Sequence, residues 1–181
     1  MARNADPLPR VANVVVLRRL AASDLRAFQA YRNDPVVAQY QGWSAKSDAE
    51  ATAFLTRMGD VALLQPGIWS QIGIADPASL ALVGDIGLLL AGDGREVEIG
   101  FTLRPRSQGH GIGTAAVRAA IELVFEHTRA DRVLGITDAR NLPSIRLLQR
   151  AGMHMTGTRE AMFRDEPCVE HVYAISRPQD E

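Results

Sequence analysis

The chain has a single cysteine, a single lysine and few aromatic residues, 6% of its 181 positions. One cysteine, Cys168, excludes an internal disulfide and any multi-cysteine zinc centre, and it suits a reducing compartment. No metal is expected. The chain also lacks a long apolar run. Val14 to Leu17 is closed at once by Arg18-Arg19, too short for a signal core, and nothing approaches the roughly 18 residues of a membrane span. It lacks a charge excess too. A net charge of −1 and a pI near 6.4 give no global attraction to nucleic acid or anionic lipid. These absences lead us to expect a cytoplasmic protein, monomer or homodimer, without nucleic-acid or membrane partners.

What is present is a chain that is 46% hydrophobic, long enough to bury about 70% of its unfolded surface in one core. A single domain is expected over residues 11–176, with residues 1–10 (Pro7, Pro9) a flexible arm and 177–181 a polar tail. Val11 to Arg18 reads as the first strand. Ser23 reads as the N-cap of a helix to about Tyr31, ended by Asn33-Asp34-Pro35. Ser47-Asp48-Ala49-Glu50 has capping-box spacing and opens a helix to about Met58. Strands are expected at Ile68 to Ile74, Ala81 to Leu90 and Glu96 to Leu103, the last two joined by the turn Ala91-Gly92-Asp93-Gly94. A helix from Thr114 to His127, a strand Val133 to Thr137 and a helix Leu142 to Arg150 follow. Strands near Met155 to Thr158 and Val169 to Ser176 close the chain. Antiparallel hairpins followed by a strand–helix–strand–helix section imply a mixed α/β sheet.

The run Gln108-Gly109-His110-Gly111-Ile112-Gly113 lies between a strand and a helix, where unobstructed backbone N–H groups meet the positive end of the helix dipole. Such a loop suits phosphate. A plain flexible turn and a dinucleotide-binding fingerprint are its rivals. Read from Gly111, the alanine-ended form of that fingerprint is met at Ala116, but the preceding strand comes after a hairpin instead of opening the fold. A P-loop is excluded because no Lys-Ser/Thr pair follows.

Several segments in order carry a family resemblance: Val97-Glu98-Ile99-Gly100-Phe101-Thr102-Leu103, Gln108 to Gly113, Asn141-Leu142-Pro143-Ser144 and Ala151-Gly152-Met153. Upstream, Leu17-Arg18-Arg19-Leu20, Asp24, Asn33-Asp34-Pro35-Val36 and Trp43 extend it over most of the chain. Together they resemble the GNAT superfamily of N-acetyltransferases, and most closely its ribosomal-protein N-terminal (alanine/serine) acetyltransferase branch. The resemblance implies a mixed, mostly antiparallel sheet flanked by helices, with a V-shaped splay between the fourth and fifth strands. It implies acetyl-CoA as donor. Backbone groups of Phe101, Thr102 and Leu103 would then pair with the pantetheine arm, and those of Gln108, Gly109, His110, Gly111, Ile112, Gly113 and Thr114 would hold the pyrophosphate. Arg104, Arg106 and His110 would add charge, although each also reads as a solvated surface residue. Asn141, a good helix cap in its own right, would touch the pantetheine.

Many members place a tyrosine acid where this chain has Leu148, so Ser144 is the expected proton donor. Glu98 is the expected base and Glu160 its alternate; alternation also allows Glu98 to be an ordinary solvent-facing strand residue. Tyr40 and Trp43 are expected walls of the acceptor site. The implied reaction is direct attack by a neutral amine, from a protein or peptide N-terminus or a small molecule, on the thioester. A non-catalytic acyl-CoA-binding regulator and a dinucleotide-dependent oxidoreductase are the competing readings.

Overall fold

The structure, a computed structural model, describes residues 6–179. Of the expected arm, residues 1–5, and of the tail, residues 180–181, lie outside the described residues. Within the described part of the arm, Leu8 is buried in the main core, and Arg10 reaches Glu122 and Glu126.

The elements run β1 (Arg10–Ala12), β2 (Val15–Arg18), α1 (Leu25–Arg32), α2 (Pro35–Ala38), α3 (Asp48–Asp60), β3 (Trp69–Ala75), β4 (Leu82–Leu90), β5 (Glu96–Leu103), α4 (Ile112–His127), β6 (Arg132–Asp138), α5 (Leu142–Arg150), β7 (His154–Phe163) and β8 (Glu166–Ser176). They form one eight-stranded sheet in the order β1-β2-β3-β4-β5-β6-β8-β7. Every pairing is antiparallel except β5 with β6, which α4 joins by a crossover.

Four local expectations are corrected. The first strand is a hairpin, because Asn13 turns the chain with φ 44°, a left-handed conformation that asparagine tolerates. Asp24, rather than Ser23, secures the entry to α1: its carboxylate accepts from the Ala21 N–H at 2.9 Å and pairs with Arg18 at 2.8 Å. Pro35 does not simply end a helix. It opens α2, with the Asp34 side chain capping Val36 at 2.9 Å. The last two strands are longer than expected and meet in a two-residue turn, Arg164-Asp165, with both φ values positive. The capping box at Ser47 and Glu50 forms as expected.

The two faces of the sheet are covered differently. The larger core lies under α4 and α5, where Val97, Ile99 and Val133 meet Ala116, Val117, Ala120 and Leu148. The smaller one lies under α1 and α3, around Phe28, Tyr31, Leu55 and Leu82. Beneath α1 the fully buried Asp85 accepts hydrogen bonds from Tyr31, Arg32 and Gln71. Burial first, and the Asp85 charge second, push the Tyr31 phenol well above its ordinary range. The Arg32 guanidinium is sandwiched between the rings of Phe28 and Trp43, at 4.8 and 4.4 Å from their centroids. That stack anchors the segment following α2 to the sheet.

Candidate active site

β5 and β6 are paired only from Glu96↔Arg132 to Ile99↔Gly135. Beyond that point both strands continue, to Leu103 and Asp138, without pairing to each other. The sheet therefore splits into a V between the strands expected as fourth and fifth. At its apex stands Leu148, 1% exposed. A Cβ built on Gly135 would lie 2.6 Å from the Leu148 Cδ2, so the leucine needs a glycine at the last paired position of β6.

The backbone edge facing the V follows from alternation along β5. Arg95 C=O accepts from Asp131 on the β6 side, whereas Glu96 C=O accepts from Ala91 on the hairpin side. Odd-numbered residues thus turn their N–H and C=O toward the V, and even-numbered ones toward β4. Phe101 and Leu103 present their backbone to the cleft. Thr102 does not: its carbonyl points at Gly84 of β4, where an added Cβ would come within 2.3 Å. Of the exposed carbonyls, that of Leu103 accepts from the Gln108 side chain at 2.9 Å and that of Phe101 from the Gln41 side chain at 3.3 Å.

Past β5 the glycine loop leads into α4. Gly109 and Gly111 hold φ of +79° and +76°, and a Cβ on either would meet nothing within 4 Å. Their freedom serves the turn, and the space above them stays open. Gly113 has another reason: a Cβ there would lie 2.6 Å from Leu147 Cδ1, so it permits α4 to pack against α5. The first bond of α4 runs from Ala115 N–H to the Gly111 carbonyl, which leaves the N–H groups of Ile112, Gly113 and Thr114 without a partner in the helix, and no side chain caps them. This cradle of free N–H groups at a helix N-terminus fits a pyrophosphate. Gln108 differs from its neighbours in the loop, since its N–H donates to Pro105. Arg104 donates to Ser107 at 2.6 Å, and partial burial, then Arg106, lowers its guanidinium from the ordinary value. Arg106 and His110 are exposed.

On the opposite wall Asn141 caps α5, its side chain accepting from Ser144 N–H at 3.3 Å. Asn141, Ser144, Leu148, Gly100, Phe101, Tyr40 and Cys168 line one continuous cleft. Tyr40, expected as a wall of the acceptor site, lines this cleft. Trp43 does not line the cleft; it packs on Arg32, and its indole nitrogen is buried without a partner among the described residues.

Strand register sets Glu98, Gly100, Asp138 and Glu170 on one face of the sheet, the face from which Tyr40 enters the cleft. Asp138 is bonded by Arg140, which holds its carboxyl below the usual range, and Glu170 is paired with Arg159. Glu98 makes no ion pair among the described residues. Half-buried, it is raised above the ordinary carboxylate value by desolvation; Arg159 opposes the rise and Glu170 adds to it. Glu160 is exposed on β7, outside the cleft, on a broader groove with Met162 and Val169. Burial, then Asp138 and Glu170, push the Cys168 thiol up and so keep it protonated. Sequence reasoning passed over Glu170, weighed Asp138 only for the dinucleotide reading and did not single out Gln41 within its loop. No local motif marks them; the β6–β8 register brings Asp138 and Glu170 together, and a hydrogen bond to the Phe101 carbonyl places Gln41.

A sheet split between two parallel strands, beside a glycine loop that feeds a helix N-terminus, is the frame of an acyl-CoA-dependent acyltransferase. Comparison with known proteins agrees. The family model for the acetyltransferase (GNAT) domain matches residues 15–154. The probable N-acetyltransferase YjcK of Bacillus subtilis (strain 168) is 31% identical over 115 residues, a match that spans 61% of this chain and 64% of that protein. The N-acetyltransferase YnaD of the same organism is 26% identical over 168 residues, 89% and 92% of the two chains. Among solved structures, the ribosomal L7/L12 alpha-N-protein acetyltransferase RimL, in complex with coenzyme A, superposes with a TM-score of 0.79 at 18% identity, over 93% of this chain and 97% of that one. That last likeness is one of fold. The chain belongs to the GNAT acetyltransferase family, a class of acetyl-CoA-dependent N-acetyltransferases, and the dinucleotide-oxidoreductase reading falls with that assignment.

Proposed function

We propose that the protein acetylates a primary amine of low basicity, foremost the α-amine of a protein or peptide and otherwise a small-molecule amine of similar pKa. The observation that carries this reading is the V between β5 and β6, with Ser144 lining one wall and Glu98, without an ion pair among the described residues, just below the split on the sheet face of Gly100. RimL, whose fold this chain shares, is an alpha-N-protein acetyltransferase.

When bound, acetyl-CoA supplies an activated acetyl thioester. The free N–H groups of Gly109 to Thr114 hold its diphosphate, with Arg104, Arg106 and His110 nearby in charge. The Phe101 N–H, turned into the V, holds the negative charge that develops on the carbonyl oxygen. Ser144 gives a proton to the departing sulfur, and Asn141 fixes the first turn of α5 so that its hydroxyl stays on the cleft wall. Glu98 takes the proton lost by the amine, directly or through water. The amine attacks the thioester directly, as the family resemblance implies.

Amine basicity selects the acceptor. At pH 7 about a tenth of an α-amine of pKa near 8 is neutral, against less than about a thousandth of a lysine amine of pKa near 10.4. A carboxylate base, even one with a raised pKa, suits the first far better. The test is thiol release from acetyl-CoA with two acceptor sets: short peptides with a free or a blocked α-amine, and aminoglycosides. Turnover that needs the free α-amine supports the reading. Turnover confined to aminoglycosides would overturn the preference for a peptide α-amine and leave the small-molecule acceptor, and tight acetyl-CoA binding without turnover on either would mark a binding module.

A further inference from the structure

The Tyr40–Gln41 segment crosses the mouth of the V. On one side the Gln41 amide donates to the Phe101 carbonyl at 3.3 Å. On the other, the Arg164 guanidinium at the β7–β8 turn donates to the carbonyls of Ala38, at 3.0 Å, and Gln41, at 3.4 Å. The chain Phe101–Gln41–Arg164 is thus a strap joining β5 to the hairpin that continues the β6 side of the sheet.

Its anchor on β5 has a second suitor. With the Leu103 carbonyl taken by Gln108, the Phe101 carbonyl is the acceptor on this edge that an amide lying along the V as an added strand would use. The pantetheine arm carries such amides. Resting on the cofactor seat proposed above, we propose that Gln41 is a positioning residue which exchanges the Phe101 carbonyl with the pantetheine arm. Cofactor binding then loosens the Tyr40–Gln41 strap at its β5 end and admits the acceptor amine beside Tyr40. The structure in this way orders the two substrates, acetyl-CoA first. Trp43, stacked on Arg32, stays fixed and serves as the far hinge of the movement.

The sign of the effect makes the test sharp. Removing a residue that merely supports the cleft weakens cofactor binding, whereas removing a competitor strengthens it. Gln41 is half-buried in a loop and its loss leaves the core intact. Gln41→Ala is therefore expected to bind acetyl-CoA about five-fold more tightly by calorimetry, the worth of one neutral hydrogen bond, and to lose the order of addition, so that an acceptor peptide binds before acetyl-CoA is present. Hydrogen exchange is the second readout. Residues 38–42 should exchange faster in the wild type once acetyl-CoA is added, and should already be fast in Gln41→Ala without it. If the wild type binds acetyl-CoA and Gln41→Ala binds it equally or more weakly, or exchange in this segment ignores the cofactor, the exchange is refuted and the cofactor seat survives. If the wild type binds no acetyl-CoA, both fall.

Discussion

Leu148 stands where the family resemblance leads one to expect a tyrosine, and the structure makes its replacement a quantitative test of how the V is held open. The side chain is 1% exposed and lies directly on Gly135, the last residue of β6 that pairs with β5. Leu148→Ala removes three carbons from a site whose neighbours, Ile99 and Val133, belong to rigid strands and collapse poorly into the space. A loss toward the middle of the usual range for such truncations is expected, about 3 kcal/mol. For a chain of this size that lowers the melting temperature by roughly 6–12 °C. Thermal unfolding followed by circular dichroism, with urea unfolding to give the free energy, measures both. Leu148→Tyr introduces that tyrosine but asks the same space to hold a larger ring against Gly135, at a cost of about 1–3 kcal/mol. A Leu148→Ala protein that loses less than about 1 kcal/mol would refute the argument, because a side chain so cheaply removed is not the wedge at the apex.

Other substitutions separate the parts of the site. Glu98→Gln should lower kcat/KM for an α-amine acceptor about 100-fold, in the range of a lost general base; an unchanged pH–rate profile would remove Glu98 from the mechanism. Since the base is active when ionised, activity falls as pH drops through the Glu98 pKa, which lies above the ordinary carboxylate value. Arg159→Ala removes the charge that lowers it and leaves Glu170 unpaired, so the acid limb of kcat/KM should move to higher pH, while Glu170→Gln should move it lower. Gly111→Ala meets no neighbour and suffers only from its left-handed backbone, about 1–2 kcal/mol, which should appear as weakened acetyl-CoA binding in calorimetry. Gly113→Ala, crowding Leu147, should instead appear chiefly in stability. Identical losses in the two variants would show that the loop glycines do not divide their roles in this way.

The sequence made the elements with strong punctuation readable. The Ser47–Glu50 box, the Ala91–Gly94 turn and the Asn141 cap each rest on one residue type doing one local job, and each lies where it was expected. The β7–β8 turn escaped because Arg164 and Asp165 adopt conformations that usually advertise themselves with glycine or asparagine. The β1–β2 turn was hidden in an apolar run by a lone asparagine. At the site, family resemblance located the walls of the cleft, and alternation left the backbone of Thr102 indistinguishable from those of its neighbours. Only the observed register shows that Thr102 turns toward β4. Trp43 illustrates a general limit: an aromatic residue near a motif signals burial, but whether it faces a cleft or an arginine depends on a partner such as Arg32, eleven residues earlier in the chain.

The single parallel junction in the sheet has a further consequence. On one side of it lies a meander, β1 to β5, whose neighbouring strands are consecutive in the chain; on the other lie β6, β8 and β7, also close in sequence. The join between them is the β5–β6 contact, made across the whole of α4 and held by four residue pairs. The V is the seam between these two halves, left unsewn at one end. A molecule that lies along it as an extra strand supplies the strand-to-strand hydrogen bonds that β5 and β6 do not make to each other there. On the proposed seat, the donor therefore completes the sheet along its seam, and the boundary that the chain leaves open becomes the one its ligand closes.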